Sequence, residues 1–164
     1  MKWSITYYYN IKFMKPNQLP LSTTMWPPKF FSKTSKTSMA HLDNEGIILG
    51  LTIQELVPKL QCECPCKKKD YQHCNFLKKY YEQLSKIDFE RFIKSWEEFC
   101  NKASTLIGHQ IDEIILIVYE KPDTFCSERT ILKKWFAEHN VELKEMEVKK
   151  WINNGNKQLT ILSH

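Results

Sequence analysis

The run Ile114–Ile115–Leu116–Ile117–Val118–Tyr119 constrains the fold more than any other stretch of this chain. An unbroken apolar segment rich in β-branched residues, closed by Pro122 and Asp123, predicts a strand. It does not alternate with polar residues, so both of its faces must be covered. That is the pattern of a parallel sheet flanked by helices.

Helical periodicity on either side agrees. Phe76, Leu77, Tyr80, Tyr81 and Leu84 share one face of a helix beginning near Asn75. Asp88 predicts the N-cap of a second helix, striped with Phe89, Phe92, Trp96 and Phe99. A third runs from about Ser127 to His139, with Ile131, Leu132, Trp135 and Phe136 inward and Lys133, Lys134 and Glu138 outward. These aromatic stripes read as core packing, not as a cofactor box.

Among the strands, Trp3, Ile5, Tyr7 and Tyr9 alternate with Lys2, Ser4, Thr6 and Tyr8 at the N-terminus. Leu19–Thr24 reads as a second strand or its exit, and Val141 and Leu143 as the strand after the third helix. A strand, a helix and a strand in that order form a right-handed crossover unit. The expected fold is α/β: a small Rossmann-like three-layer sandwich with a mainly parallel sheet. Asn153–Asn154–Gly155–Asn156 reads as a hairpin turn between Val148–Trp151 and Leu159–Leu162. Residues 1–148 are therefore expected to form a single α/β domain with a cysteine-rich insert at 60–75. Residues 149–164 would be a C-terminal β-hairpin extension of it. At 164 residues, 42% of them hydrophobic, the chain is long enough for one such core.

Composition excludes several classes. Four glycines are few, and neither GxGxxG nor a GK[ST] phosphate loop occurs. No stretch approaches the roughly 20 apolar residues of a membrane span, so no membrane partner is expected. Ser4, Thr6 and Asn10 interrupt the apolar N-terminus, which lacks the core of a signal peptide. The expected location is cytoplasmic, with the six cysteines as reduced thiols or metal ligands. The formal charge of +5 sits in the N-terminal quarter, where Lys2, Lys12, Lys15, Lys29, Lys33 and Lys36 occur without an acid before Asp43. Such a bias can be ordinary surface, or it can attract nucleic acid or another anionic partner.

Three constellations carry potential chemistry. The loop Glu120–Cys126 leaves the carboxyl end of the central strand, where ligands bind in open α/β sheets. It delivers Cys126, Ser127 and Arg129 to a helix N-terminus that favours anions. With Ser127 as cap, Cys126 sits just outside the first turn, where the helix and Arg129 would favour a thiolate. Cys126 is then a nucleophile or anion-binding thiol, Arg129 an anion clamp, and Glu120 or Glu128 an acid/base. The bland reading makes Cys126 a small core filler and pairs Arg129 with Glu128 or Glu120.

The second constellation is Ser22–Thr23–Thr24–Met25–Trp26, whose hydroxyls suit a polar substrate and whose tryptophan suits a stacked ring; turn chemistry and one core tryptophan is the alternative. Third, Cys62, Cys64, Cys66 and Cys74, with His73 as an alternative ligand, could hold a structural zinc ion or form a loop of unligated thiols.

The order of motifs resembles a known family. Tyr8–Tyr9–Asn10–Ile11 is followed by Pro20–Leu21–Ser22 and by Met25–Trp26–Pro27–Pro28–Lys29–Phe30–Phe31. Later come Asp88–Phe89, Val118–Tyr119–Glu120–Lys121–Pro122, Cys126–Ser127–Glu128–Arg129 and Trp135–Phe136. From about Ser4 to Val141 this is similar to the domain of unknown function 488 family, in its subgroup with a C-S-E-R motif. The resemblance implies a small Rossmann-like sandwich, maps the motif Cys and Arg onto Cys126 and Arg129, and maps the hydroxyl-bearing loop onto Ser22 and Thr23. Tyr9, Trp26 and Ser127 complete the expected ligand-binding set.

Three functions follow as expectations. The first is a protein acting on or binding a phosphorylated or nucleotide-like ligand around Cys126 and Arg129. The second is a non-catalytic nucleotide or nucleic-acid binding module. The third is a protein-interaction domain using the C-terminal hairpin.

Overall fold

The apolar run lies in a strand, Glu113–Val118, whose six residues are all buried. In the computed structural model, which describes residues 1–33, 39–60, 74–150 and 160–162, this strand is the fifth of eight. The others are β1 (Lys2–Tyr7), β2 (Gln18–Ser22), β3 (His41–Leu42), β4 (Ile48–Leu49), β6 (Lys144–Glu145), β7 (Val148–Lys150) and β8 (Thr160–Leu162), with Glu113–Val118 as β5. The helices are α1 (Lys29–Ser32), α2 (Asn75–Leu84), α3 (Phe89–Ile107) and α4 (Glu128–Glu138), and Tyr8–Phe13 and Gln54–Leu56 form 3-10 helices.

The main sheet has the order β2-β5-β1-β6, and all its pairings are parallel. Alternate residues of β5 divide between two cores, which is why its sequence does not alternate. Ile114, Leu116 and Val118 join Trp3, Ile5, Leu19 and Leu21 beneath α2, α3 and α4. Ile115 and Ile117 join Tyr8, Ile11, Met14, Phe31, Ile47, Leu49, Met146 and Val148. The chain is thus α/β with a parallel four-stranded sheet and helices, consistent with a Rossmann-like sandwich. Its three long helices contribute to one core; the other is closed by the first 3-10 helix, α1, the β3–β4 pair and β7.

Helix starts follow local chemistry. Asp88 caps α3 by accepting from the Arg91 amide, and Ser127 caps α4 by accepting from the Arg129 amide. Gly108 ends α3 at φ 78°, a left-handed position glycine adopts without Cβ strain. The strand expected at Val141 and Leu143 instead spans Lys144–Glu145, the dipeptide that pairs with Ser4 and Ile5 of β1; Leu143 packs in the core. β7 and β8 pair antiparallel as a separate two-stranded sheet, while the expected turn at 153–156 lies outside the described residues.

Glu113 marks the end of the sheet remote from the carboxyl ends. It accepts from Ser4 Oγ at 2.5 Å, Gln18 Nε2 at 2.7 Å and Lys2 Nζ at 2.9 Å. Burial pushes its carboxyl pKa up, but these bonds and the Lys2 charge outweigh burial and hold it below the usual range. A lowered folded-state pKa contributes stability above the unfolded value near 4.3, and that stability is lost as pH falls through the folded value. Glu113→Gln is therefore expected to destabilise the fold by about 1–2 kcal/mol at pH 7. In urea unfolding, the gap to the parent should narrow as the pH is lowered towards 3. A gap of constant size would refer the effect to packing instead.

Candidate functional site

The carboxyl ends of β2 and β5 lie side by side, because Ser22 pairs with Ile117. Beyond β2 the chain continues through Thr23, whose amide donates to the Ile117 carbonyl. Ser22 and Thr23 are fully buried, and their hydroxyls form internal bonds. Tyr8 Oη lies 2.6 Å from Ser22 Oγ and 2.8 Å from Thr24 Oγ1. Burial pushes the Tyr8 phenol up to about 12, so it stays protonated. Thr23 Oγ1 donates to Glu128 Oε2 at 2.5 Å.

Glu128 opens α4 and is buried. Burial pushes its carboxyl up to about 8; the Thr23 hydroxyl bond pulls down, and the neighbouring Glu120 charge adds to the rise. Ser127 Oγ donates to Glu120 Oε2 at 3.2 Å, so the helix cap also orients the second carboxylate. The loop between β5 and α4 is held by its own bonds: Thr124 N to Lys121 O at 3.1 Å, Ser127 N to Phe125 O at 2.9 Å, and Thr130 Oγ1 to Phe125 O at 2.7 Å.

Between these strand ends is a cavity of about 330 Å³ lined by Thr24, Met25, Trp26, Tyr119, Glu120 and Glu128, with Pro58, Leu60 and Phe76 beside them. Its wall carries two carboxyl groups, two large exposed rings and, among the described residues, no cation. A larger cleft of about 710 Å³, between Gln54–Leu60 and α2, holds none of the residues expected to act.

The expected residues therefore separate. Trp26, Glu120 and Glu128 line the cavity, and Ser22, Thr23 and Ser127 support it from behind. Tyr9 is exposed, stacked on Tyr7 with Lys12 Nζ 3.7 Å from its ring centroid, and lies outside the lining. Its neighbour Tyr8 is the tyrosine bonded into the site. Arg129 is only 3% exposed and commits its guanidinium inward: Nη1 pairs with the Glu145 carboxylate and Nη2 donates to the Glu120 carbonyl at 2.8 Å. It pins α4 to β6 and the loop, and Glu145 was not foreseen. Cys126 is half-buried against the core, its sulfur 3.7 Å from that of Cys74.

Cys74 is itself fully buried at the start of α2. Cys62, Cys64, Cys66 and His73 lie outside the described residues. Among the described residues no group of three or more His, Cys, Asp or Glu could hold a metal ion, and no helix is long and apolar enough to cross a membrane. No family model, curated protein or solved structure matches the chain significantly.

Proposed function

We propose that the cavity at the ends of β2 and β5 binds a nucleotide-like ligand by its ring rather than by its phosphate. The observation that carries this reading is the lining: Trp26, 64% exposed, and Tyr119 beside the paired acids Glu120 and Glu128. Ring faces stack on aromatic side chains, and carboxyl groups accept from amino and imino groups on a base edge. A phosphate in the same place would face the Glu120 carboxylate with no cation among the described lining residues, and Arg129 is committed to Glu145.

The reading draws on the resemblance to the domain of unknown function 488 family but redistributes its motif. Arg129 and Ser127 hold the site together, and Glu120 and Glu128 face the ligand. A catalytic version gives any proton transfer to those two acids, the only carboxyl groups on the described wall. The zinc reading stays with Cys62, Cys64, Cys66 and Cys74, with His73 as alternative, as a structural centre.

Calorimetric titration with nucleosides and their monophosphates tests the proposal. Nucleosides should bind about as well as monophosphates, and Trp26→Ala should weaken binding roughly 5- to 150-fold, the equivalent of about 1–3 kcal/mol of stacking. Folding stability should change by under about 0.5 kcal/mol, because the ring is largely exposed. Absence of binding by every nucleoside at millimolar concentration would sink the reading. The exposed rings of Trp26, Phe30 and Tyr119, with the N-terminal lysines, favour a second one, a single-stranded nucleic acid laid across the same rim. Oligonucleotide binding that falls steeply with salt, without nucleoside binding, would select it.

A further inference from the structure

The carboxylate on the cavity wall has a hydroxyl partner but no ion pair. Glu120 Oε2 accepts from the capping hydroxyl of Ser127 at 3.2 Å, and among the described residues no basic side chain pairs with it. Arg129 donates to the Glu120 main-chain carbonyl and directs its charge to Glu145. The positive end of α4, which would otherwise attract an anion, already carries Glu120 on its cap. Glu128 lines the same cavity while only 8% exposed. Thr23 Oγ1 donates to its Oε2 at 2.5 Å, and no described group donates to its other oxygen. The rings are open as well. Trp26 is largely exposed with no other described ring packed on it, and Tyr119, also exposed, meets Tyr8 edge to face at 5.4 Å.

We infer that the ring taken by this cavity is a cation: a nucleoside-like heteroaromatic ring with a quaternary nitrogen, stacked on Trp26 and balanced by Glu120. The inference rests on the ring-binding reading above and narrows it to one charge class.

Three physical points carry it. Aromatic faces are the negative parts of their quadrupoles, so a cationic ring on Trp26 adds cation–π attraction to the stacking that a neutral ring also obtains. A carboxylate without an ion pair, in a partly enclosed cavity, attracts a cation more strongly than it would in open water and repels an anion. The Glu128 carboxyl, pushed up to about 8 chiefly by burial, keeps its proton at neutral pH. The wall then holds one negative charge, which one ring charge balances, and Glu128 is left to hydrogen-bond the edge of the ring. At about 330 Å³ the cavity is at the lower end of small-molecule sites, of a size for one such group.

The test is calorimetric titration of the full chain with two pairs of nucleosides matched in shape and different in charge. Nicotinamide riboside, a cation, is set against neutral benzamide riboside. N7-methylguanosine, in mildly acidic buffer where its ring is cationic, is set against its neutral isostere with carbon in place of N7. In at least one pair the cation should bind at least about 10-fold more tightly, because cation–π attraction alone covers roughly 2- to 30-fold and the Glu120 charge adds to it. Glu120→Gln keeps an acceptor oxygen and loses the charge, so it should weaken the cation at least about 3-fold more than its neutral partner.

Equal affinities within both pairs, or a preference for the neutral members, would overturn the inference and leave the ring-binding reading in place. Failure of every nucleoside, charged or neutral, to bind at millimolar concentration would overturn both. Equal losses for the cation and its neutral partner in Glu120→Gln would also overturn the inference, since Glu120 would then not read the charge. Should Glu120→Gln fail to fold, Trp26→Leu decides, because that exposed position tolerates the change. A larger loss for the cation than for its neutral partner is expected there, and equal losses would overturn the inference.

Discussion

Arg129→Ala is expected to cost about 3–5 kcal/mol of folding stability, the range for removing one partner of a buried ion pair. Glu145 is 11% exposed and would keep only Lys133 Nζ, at 2.8 Å, from a side chain that is itself 40% exposed. The Glu120 carbonyl would lose its donor at the same time. Arg129→Lys should recover only part of the loss, because an ammonium cannot serve Glu145 and the Glu120 carbonyl through one planar fork. Replacing both Arg129 and Glu145 by methionine should cost less than Arg129→Ala, since no buried charge is then left alone. Urea unfolding midpoints of the four proteins give the comparison. The result also decides between roles: an Arg129→Ala chain of near-parental stability that no longer binds nucleoside monophosphates would restore the anion clamp suggested by the motif.

The contrast shows what was legible in the sequence. The β5 run, the helix stripes and the caps at Asp88 and Ser127 are local patterns, and each corresponds to an element in the fold. The loop between β5 and α4 was likewise found by its position at a strand end. What the side chains there face is not local. Arg129 meets Glu145 sixteen residues on, while Glu142 and Glu147 offer the same chemistry, so periodicity gives no means of choosing among them. Cys126 meets Cys74 through the packing of two helices, which no spacing within the Cys126 loop records. The strand alternation read through Tyr9 runs two residues past the end of β1. The chain turns into a 3-10 helix after Tyr7, which buries Tyr8 and exposes Tyr9. The second core was hard to foresee for a related reason: a 3-10 helix, a four-residue helix and two-residue strands are too short to show a period.

Trp135→Ala should cost about 3–5 kcal/mol, as large aromatic deletions from a core do. Trp135 is 1% exposed, and its ring meets Phe89 at 4.9 Å, Phe92 at 5.5 Å and Phe136 at 5.5 Å, mostly edge to face. Those contacts join α3 to α4, and α4 carries Glu128 at its first position. The same substitution at two tryptophans thus separates fold from function. Trp26→Ala should lose nucleoside affinity at parental stability, whereas Trp135→Ala should lose stability and keep nearly parental affinity in the fraction that remains folded. Trp135→Phe should fall between, since it keeps a ring in the cluster and leaves a smaller void. Unfolding curves combined with calorimetry at a temperature where Trp135→Ala is still mostly native make the comparison. Loss of binding by folded Trp135→Ala would mean that α4 must be held rigidly for the cavity to form. Loss of stability in Trp26→Ala would move that ring from the ligand to the core.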